Sequence, residues 1–178
     1  NYLDLGCGDG PLLYALNKKG YFNNKNVYAV DLSENRIDLV RKINKDFKCF
    51  VDDACNIQTI GKDSIDFLVS SQVMEHVDND EDMVKGAYKI LKKGGIFYFS
   101  TVFKKWYGWY FYKCNGKWVL DPTHLREYTN NEQLFDILTR NNFEIVESKK
   151  NLISRSFTDF VLRKIYASRY VYNNSILR

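Results

Sequence analysis

Three short stretches of this sequence combine residue types that could do chemistry. The first, L-D-L-G-C-G-D-G, places Asp4 and three closely spaced glycines directly after an apolar run. Without a Cβ, such a turn lets the backbone approach a ligand closely and bend sharply into a helix. The second is Asp31, which closes the apolar run V-Y-A-V, where a carboxylate can accept both hydroxyls of a ribose. The third comprises His76 and His124, the two histidines of the chain.

The glycine turn is compatible with more than one role, including that of an ordinary tight turn. A dinucleotide-binding turn would have the pattern G-x-G-x-x-G, but Gly10 comes one residue early and Pro11 occupies the place of the last glycine. A carboxylate at Asp31 would also not tolerate a 2′-phosphate. The glycine spacing argues against a nicotinamide cofactor.

The two histidines can be catalytic or structural. An imidazole with an ordinary pKa of about 6.5 can take a proton from a hydroxyl or ammonium group near neutral pH. His76 lies in M-E-H-V, where it can instead cap the following helix. His124 lies in D-P-T-H-L-R-E-Y-T, where it and Arg126 can instead only tie the loop to the domain. We favour His124 as the catalytic group of the two.

The cysteines and the hydropathy pattern predict a cytoplasmic protein with free thiols. The four cysteines form no C-x-x-C pair, and two histidines do not complete a zinc set, so we predict no metal site. No apolar run approaches the roughly 20 residues needed to cross a bilayer, and no signal peptide opens the sequence.

The elements that must position these residues alternate along the chain. Short apolar runs predict six strands, at residues 2–5, 27–30, 49–51, 65–69, 96–102 and 143–146. Helical patterns lie between most of them: one from Pro11 to Gly20, one capped by Ser33, one over 80–92 ended by Gly94 and Gly95, and one after the capping-box sequence T-N-N-E at 129–132. This alternation predicts an α/β fold with a doubly wound, mainly parallel sheet in three α/β/α layers. Ligands of such sheets bind beyond the carboxyl ends of the strands.

Four motifs occur in the order and spacing of a known family. They are D-L-G-C-G-D-G, F-V-D-D-A, I-D-F-L-V-S-S-Q-V-M-E-H-V and L-K-K-G-G-I-F-Y-F-S, and together they cover roughly residues 2–148. The set resembles class I S-adenosylmethionine-dependent methyltransferases, in particular the small-molecule branch typified by ubiquinone-biosynthesis and type 11–12 methyltransferase domains. The resemblance implies a Rossmann-like fold, S-adenosylmethionine as cofactor and S-adenosylhomocysteine as product. It also implies O-, N- or C-methylation of a small acceptor such as a metabolite, sugar, quinone or lipid-like molecule.

The resemblance further implies roles for individual residues near the strand ends. The cofactor-binding set is Asp4, Gly6, Cys7, Gly8, Gly10, Asp31, Leu32, Asp53, Ala54, Ser71 and Gln72. The first turn would hold the methionine part, Asp31 the ribose diol and Leu32 one face of the adenine, while Asp53 and Ala54 would meet the adenine edge. The pair 71–72 would lie under the cofactor. The resemblance places His76 near the cofactor and His124 in a loop that closes over the acceptor, and we predict both as catalytic residues.

The chain length of 178 residues predicts a single methyltransferase domain with two additions. Residues 103–128 form an aromatic-rich insertion, which could wall the acceptor pocket or form a hairpin packed onto the sheet edge. Residues 152–178 form a basic amphipathic tail, which allows weak contact with a membrane surface if the acceptor is a lipid. Because the chain begins inside the first predicted strand, we expect that upstream helices are missing.

Three other classes of function remain open. A nucleic-acid methyltransferase acting on exocyclic amines would carry an N/D-P-P-Y-like turn after the fourth strand, where this chain has S-S-Q-V, so the sequence argues against a nucleic-acid partner. The net charge of +4 is scattered along the chain rather than clustered into a patch. A protein methyltransferase and a non-catalytic S-adenosylmethionine-binding module are the remaining alternatives. Retention of Asp4, Asp31 and His124 argues against the non-catalytic module.

Overall fold

A computed structural model describes residues 1–107, 110, 112–114 and 116–151. The chain divides into two compact units, residues 1–145 and residues 146–178. The described part of the second unit, residues 146–151, has no helix or strand. The predicted basic tail lies outside the described residues, and the single-domain interpretation stays a prediction.

A five-stranded parallel sheet forms the centre of the first unit. Its strands are β1 Tyr2–Leu5, β2 Val27–Asp31, β3 Lys48–Val51, β4 Ile65–Ser71 and β5 Leu91–Ser100, in the spatial order β3-β2-β1-β4-β5. The chain leaves β1 toward β2 on one side and later returns to place β4 on its other side. Ligands of doubly wound sheets bind at this reversal of strand order, beyond the carboxyl ends of the strands.

Helices cover both faces of the sheet, as the alternating pattern predicts. They are α1 Pro11–Lys18, α2 Glu34–Arg41, α3 Asp80–Ile90 and α4 Glu132–Arg140. One apolar cluster joins the sheet to α3 and α4, and a second joins it to α1 and α2. β1 is buried along its whole length, which is typical of a central parallel strand covered on both sides. The predicted three-layer α/β/α fold is therefore confirmed.

The predicted end of the third helix and the predicted strand at 143–146 are wrong. The third helix ends at Ile90 rather than at the two glycines, because Leu91 already has extended backbone and pairs with Ile65. The predicted strand at 143–146 does not form. The ring of Phe143 packs instead against the rings of Tyr88 and Phe97, with centroids 5.6 and 5.5 Å away. An apolar residue in this run thus covers the sheet without extending it.

The cap of the fourth helix is displaced by one residue from its predicted place. Asn130 Oδ1 accepts a hydrogen bond from the Gln133 amide at 3.1 Å. Gln133 Oε1 in turn accepts from the backbone amides of Thr129 at 2.8 Å and Asn130 at 3.4 Å. The reciprocal cap is therefore N-x-x-Q rather than T-x-x-E, because a Gln side chain reaches back as a Glu would.

The aromatic segment contains the predicted hairpin. Strands β6 Tyr112–Cys114 and β7 Lys117–Val119 pair antiparallel, and Phe103 forms a parallel bridge to Tyr128. Trp106 is 95% exposed, whereas Tyr128 is buried. In the part of the chain that the structure describes, no helix has the length and apolar character needed to cross a membrane.

Candidate active site

The glycine turn joins β1 to α1 and is held against β2. The amides of Gly6 and Cys7 both donate to the Val30 carbonyl, at 2.7 and 2.9 Å. Gly6, Gly8 and Gly10 all have left-handed φ angles, of 76°, 56° and 79°. A side chain is disfavoured at all three positions on backbone grounds alone.

The space around the three glycines differs. A Cβ on Gly6 would overlap the side chain of Val73, and one on Gly10 would lie 2.6 Å from Ile43 Cδ1. A Cβ on Gly8 would meet nothing within 4 Å. The outer two glycines are thus required by packing, whereas the middle one borders open space that a ligand could fill. The Cys7 side chain is buried in the core, so that only its backbone faces the turn.

Asp31 lies at the end of β2, under the turn. Its two carboxylate oxygens accept hydrogen bonds from the amides of Gly8 at 2.8 Å and Ser33 at 3.0 Å. Ser33 occupies the predicted N-cap position of α2, but its side chain makes no cap hydrogen bond. Each carboxylate oxygen retains capacity for a further hydrogen bond. Asp31 is therefore fixed in place with acceptor positions to spare.

Asp4 lies on β1 opposite Ala29, two residues before Asp31 of β2, and is only 3% exposed. Its pKa is raised from 3.8 to about 7, mainly by burial and to a smaller extent by the negative charge of Asp31. The negative charge of Asp31 disfavours the ionised form of Asp4. A cationic ligand between them would relieve that repulsion, so this corner of the sheet is suited to a positively charged group.

The residues predicted to meet an adenine lie at the ends of β2 and β3. Leu32 is 74% exposed, directly after Asp31, and provides an apolar surface at the mouth of the site. Asp53 Oδ1 accepts from the Cys55 amide at 2.9 Å, and its side chain is exposed. The neighbouring Asp52 turns the other way and binds Thr59. Ala54 is half-buried in the same loop.

Ser71, the last residue of β4, and Gln72 after it contact the end of β5. Ser71 Oγ and Ser100 Oγ are 2.9 Å apart, and the amide of Gln72 donates to the Ser100 carbonyl at 2.9 Å. Gln72 has a φ of 57°, in the left-handed region. Residues held in this conformation cluster at functional sites, where the surrounding structure compensates for the strain.

A cluster of three titratable side chains lies immediately beyond this turn. It consists of Glu75, His76 and His124, whose potential ligand atoms all lie within 4.8 Å of one another. The two imidazole rings meet edge to face, with centroids 4.9 Å apart. His76 is exposed, and its Nδ1 lies 3.2 Å from the Thr123 carbonyl oxygen. The structure thus brings together two histidines from different segments of the chain.

The sequence analysis missed Glu75, which is completely buried. Its Oε2 accepts from the Thr101 hydroxyl at 2.9 Å, and its backbone carbonyl accepts from the amides of Leu125 and Arg126. These three contacts come from segments distant in sequence. The only local signal was an acidic residue inside the apolar stretch V-M-E-H-V, next to a candidate histidine.

The sequence left a structural role open for each histidine: a helix cap for His76, and a tie between loop and domain for His124 together with Arg126. The cap of α3 is Asn79, whose side chain accepts from the amides of Glu81 and Asp82, so His76 does not fill that role. Arg126 does tie its loop to the domain, because its guanidinium donates to the carbonyls of Met74, Val77 and Asp78. The ring of His124 packs on that of His76 between the same two loops.

His124 is instead held near a second acid. Its side chain is 8% exposed, and its Nδ1 lies 3.5 Å from Glu127 Oε1. Glu127 is also paired with Lys104, whose Nζ lies 3.0 Å from its other oxygen.

Comparison with known proteins agrees with the fold and the turn. Residues 1–148 match a protein family described as a methyltransferase domain. The chain is 33% identical over 103 residues to a ubiquinone biosynthesis O-methyltransferase of Coxiella burnetii, an alignment that covers 56% of this chain and 42% of that protein. It is 27% identical over 150 residues to the enzyme of the same name from Pelagibacter ubique, covering 80% of this chain and 61% of that protein.

Solved structures show the same fold. The YcgJ protein from Bacillus subtilis aligns with a TM-score of 0.68 at 16% identity, over 96% of this chain and 74% of that chain. A possible histamine N-methyltransferase from Thermotoga maritima aligns with a TM-score of 0.61 at 22% identity, over 82% of this chain and 64% of that chain. At these identities the likeness concerns the fold.

Because the family match extends over most of its length, this chain belongs to the methyltransferase domain family. The resemblance of its motifs implies S-adenosylmethionine as the cofactor. The site fits this cofactor, since the open space at Gly8 lies next to the carboxylate of Asp31 and the cofactor carries a sulfonium and an ammonium group. The chain spans about two fifths of the length of the Coxiella relative and about three fifths of the Pelagibacter relative.

Proposed function

We propose that this methyltransferase transfers a methyl group to a hydroxyl or amine of a small-molecule acceptor bound at the Glu75–His76–His124 cluster. One observation carries the proposal. Val73 packs directly on Gly6 of the cofactor turn, and Glu75 and His76 follow it by two and three residues. The cluster therefore adjoins the end of the turn at which the cofactor would lie.

The cofactor would be held by the residues that the structure gathers at the ends of β1 to β4. Asp4 would pair with its ammonium group, and the backbone of the turn, from Gly6 through Cys7 to Gly10, would follow its methionine part. Asp31 would accept the ribose hydroxyls through its remaining lone pairs. Exposed Leu32 would pack against the adenine, whose edge would meet residues 53–54, and the pair 71–72 would lie beneath the cofactor.

The chemistry asked of the protein is then modest. Bound S-adenosylmethionine supplies a methyl group on a sulfonium sulfur, which is already a good leaving group. The chain has to align the acceptor with that methyl carbon and remove a proton from the acceptor. His124 would take the proton, and His76 and the buried carboxylate of Glu75 would stabilise the positive charge that results.

A small acceptor is favoured over a macromolecular one by two observations. The turn after β4 has S-S-Q-V in place of the N/D-P-P-Y-like turn used on exocyclic amines of bases. The curated relatives described above are named as enzymes of ubiquinone biosynthesis, in which the methylated group is an oxygen. An O-methylated small molecule is therefore the first class to test.

The test is a methyl-transfer screen with methyl-labelled S-adenosylmethionine. The protein is incubated with a small-molecule extract, with RNA and with a protein fraction in separate reactions, and the label is followed by mass spectrometry. We expect the gain of one methyl group on a small molecule. Label confined to RNA or protein would overturn the proposed acceptor class.

Two variants make this screen more specific. His124→Gln should abolish the labelled product, whereas Glu132→Gln, at an exposed position of α4, should leave it unchanged. Cofactor binding in calorimetry with no label in any fraction would instead support a non-catalytic binding module.

A further inference from the structure

We propose that Glu127 is a positioning residue for His124, because it holds the imidazole in the tautomer that leaves Nε2 free to take a proton. This role rests on the proposed function, in which His124 is the base. Glu127 follows His124 by three residues in the loop after the hairpin. Lys104 and Leu120 complete the arrangement by holding the Glu127 carboxylate in place.

The Nδ1 atom of His124 is buried beside that carboxylate. The His124 side chain is 8% exposed, and its Nδ1 lies 3.5 Å from Glu127 Oε1 without forming a hydrogen bond. Among the described residues, Glu127 is the one acid that forms an ion-pair contact with this imidazole. A buried polar atom without a partner is costly, and catalytic hydrogen bonds that are long in a free site often shorten when ligands bind. A movement of roughly 0.3–0.5 Å would bring the two atoms to hydrogen-bonding distance.

Two donors fix the Glu127 carboxylate, whose side chain is 10% exposed. Oε1 accepts from the Leu120 amide, and Oε2 lies 3.0 Å from Lys104 Nζ. Both donors complement the negative charge of the carboxylate, and Oε1 keeps a lone pair for a second donor. Lys104 is itself held, since its amide donates to the Tyr128 carbonyl at 2.8 Å and its ammonium group donates to the Trp118 carbonyl.

The contact with Glu127 selects one tautomer of His124. An ionised carboxylate has no proton to donate, so a hydrogen bond to it requires the proton of the neutral imidazole to be on Nδ1. Nε2 then carries the lone pair and becomes the basic nitrogen. Because Nδ1 is buried, Nε2 is also the ring nitrogen that is left to meet an acceptor. Tautomer and burial therefore select the same atom as the base.

His76 lacks a comparable partner. Its Nδ1 lies 3.2 Å from the Thr123 carbonyl oxygen, its side chain is exposed, and among the described residues no acid forms an ion-pair contact with it. Of the two histidines, His124 is thus the one whose ring is fixed by a carboxylate.

The charges around His124 also favour its protonated product. Glu75 belongs to the same cluster, Glu127 lies at Nδ1, and Asp121 is close enough to interact electrostatically with both histidines. The one cation in contact with these acids near the ring, Lys104, lies at the far oxygen of Glu127 among the described residues. Once the acceptor's proton has moved to Nε2, the carboxylates stabilise the imidazolium.

This arrangement gives the aromatic segment 103–128 a part in catalysis. Lys104 lies at its beginning, and Trp118 lies in β7 of its hairpin. Arg126 holds the loop against the turn after β4, through the Met74 carbonyl, while Glu127 holds it against the hairpin. The hairpin therefore positions the residue that orients the base.

Nitrogen NMR of the full chain tests the tautomer without cofactor or acceptor. The chain contains two histidines, so ¹⁵N-histidine labelling gives two imidazole spin systems, and the variant His76→Gln assigns them. Above about pH 8, where an ordinary imidazole is neutral, we expect the His124 proton on Nδ1, deshielded and slow to exchange. In Glu127→Ala, the ratio of the Nδ1–H to the Nε2–H tautomer should fall by roughly 10–150-fold, as expected for loss of a hydrogen bond to a charged group. Glu132→Ala, at an exposed position of α4, should keep the wild-type ratio.

The screen with methyl-labelled S-adenosylmethionine adds a readout of turnover. Glu127→Ala should lower the yield of methylated product at least about tenfold, because the wrong tautomer places a proton on the basic nitrogen. Its affinity for S-adenosylhomocysteine in calorimetry should remain that of the wild type. Unchanged turnover in a folded Glu127→Ala variant would overturn the positioning role.

The NMR results that contradict the role are equally definite. A His124 proton on Nε2 in the wild type would overturn it, and this spectrum decides the question even if Glu127→Ala does not fold. An unchanged tautomer ratio in a folded Glu127→Ala variant would also overturn it. The expected tautomer without label on any small molecule would refute the proposed function and leave the contact between Glu127 and His124 standing. A reversed tautomer with label on a small molecule would refute the role of Glu127 alone.

Discussion

Replacement of Asp4 by Asn should remove most of the pH dependence of stability that the cofactor-free domain shows between about pH 4 and 8. Burial, reinforced by the charge of Asp31, raises the Asp4 pKa from 3.8 to about 7 in the folded chain. An acid whose pKa is raised by folding contributes stability at low pH, and this contribution is lost as the pH rises through the folded value. The wild type should therefore lose stability across this window, and the variant should not.

The size of the effect follows from the shift. A change from 3.8 to about 7 corresponds to at most about 4.5 kcal/mol in the free energy of unfolding, at about 1.4 kcal/mol per pKa unit. The buried amide of the variant adds a cost or gain that does not vary with pH. The slope of the difference with pH, rather than its absolute value, is therefore the informative quantity.

Urea unfolding of both proteins at a series of pH values measures this slope. The matched control is Asp9→Asn, which removes an exposed carboxylate from the same turn and should give a curve parallel to the wild type. The cofactor should also bind the wild type more tightly as Asp4 ionises, and this gain should be absent in the variant. Parallel stability curves for wild type and Asp4→Asn would refute the assignment of a buried, mutually repelling acid pair.

Three further predictions address the rest of the site. Asp31→Ala should weaken binding of S-adenosylhomocysteine by about 1.5–3 kcal/mol in calorimetry, as expected for hydrogen bonds to a charged group, and unchanged affinity would sink its role at the ribose. Gly8→Asn should keep the fold, because Asn tolerates left-handed φ and the space is open, but should block cofactor binding. Gly10→Ala should instead lower the thermal unfolding temperature, because its methyl would meet Ile43 at 2.6 Å; equal behaviour of these two variants in binding and melting would contradict the distinction. His124→Ala should leave cofactor affinity nearly intact and reduce turnover by about 10²–10⁴-fold, which is typical of a lost acid–base group, and full turnover would leave alignment as the catalytic device.

The features that were predictable from the sequence have local causes. The apolar runs became β1 to β5, and Pro11 and Gly20 bracket the first helix because their backbone preferences act within a few residues. The position of Asp31 at the end of β2 followed from the rule that ligands bind beyond the carboxyl ends of parallel strands. The errors arose where tertiary packing decides, as at Phe143, whose ring covers the sheet although its run has the composition of a strand.

The acceptor side of the site was less predictable for the same reason. Both histidines were identified by residue type, but their contact depends on the loop that Arg126 holds against the turn after β4. Glu75 owes its burial to Thr101, Leu125 and Arg126, which lie 26 or more residues away. No pattern within its own segment encodes those contacts.

A crystal structure of the chain with S-adenosylhomocysteine bound tests the central claim most directly. The claim is that the cofactor lies on the glycine turn with its sulfur directed at the Glu75–His76–His124 cluster. The account predicts ribose hydroxyls hydrogen-bonded to Asp31, the amino group at Asp4, and the sulfur facing the cluster across a space large enough for a small acceptor. A ligand bound elsewhere, or a sulfur directed away from the two histidines, would contradict it.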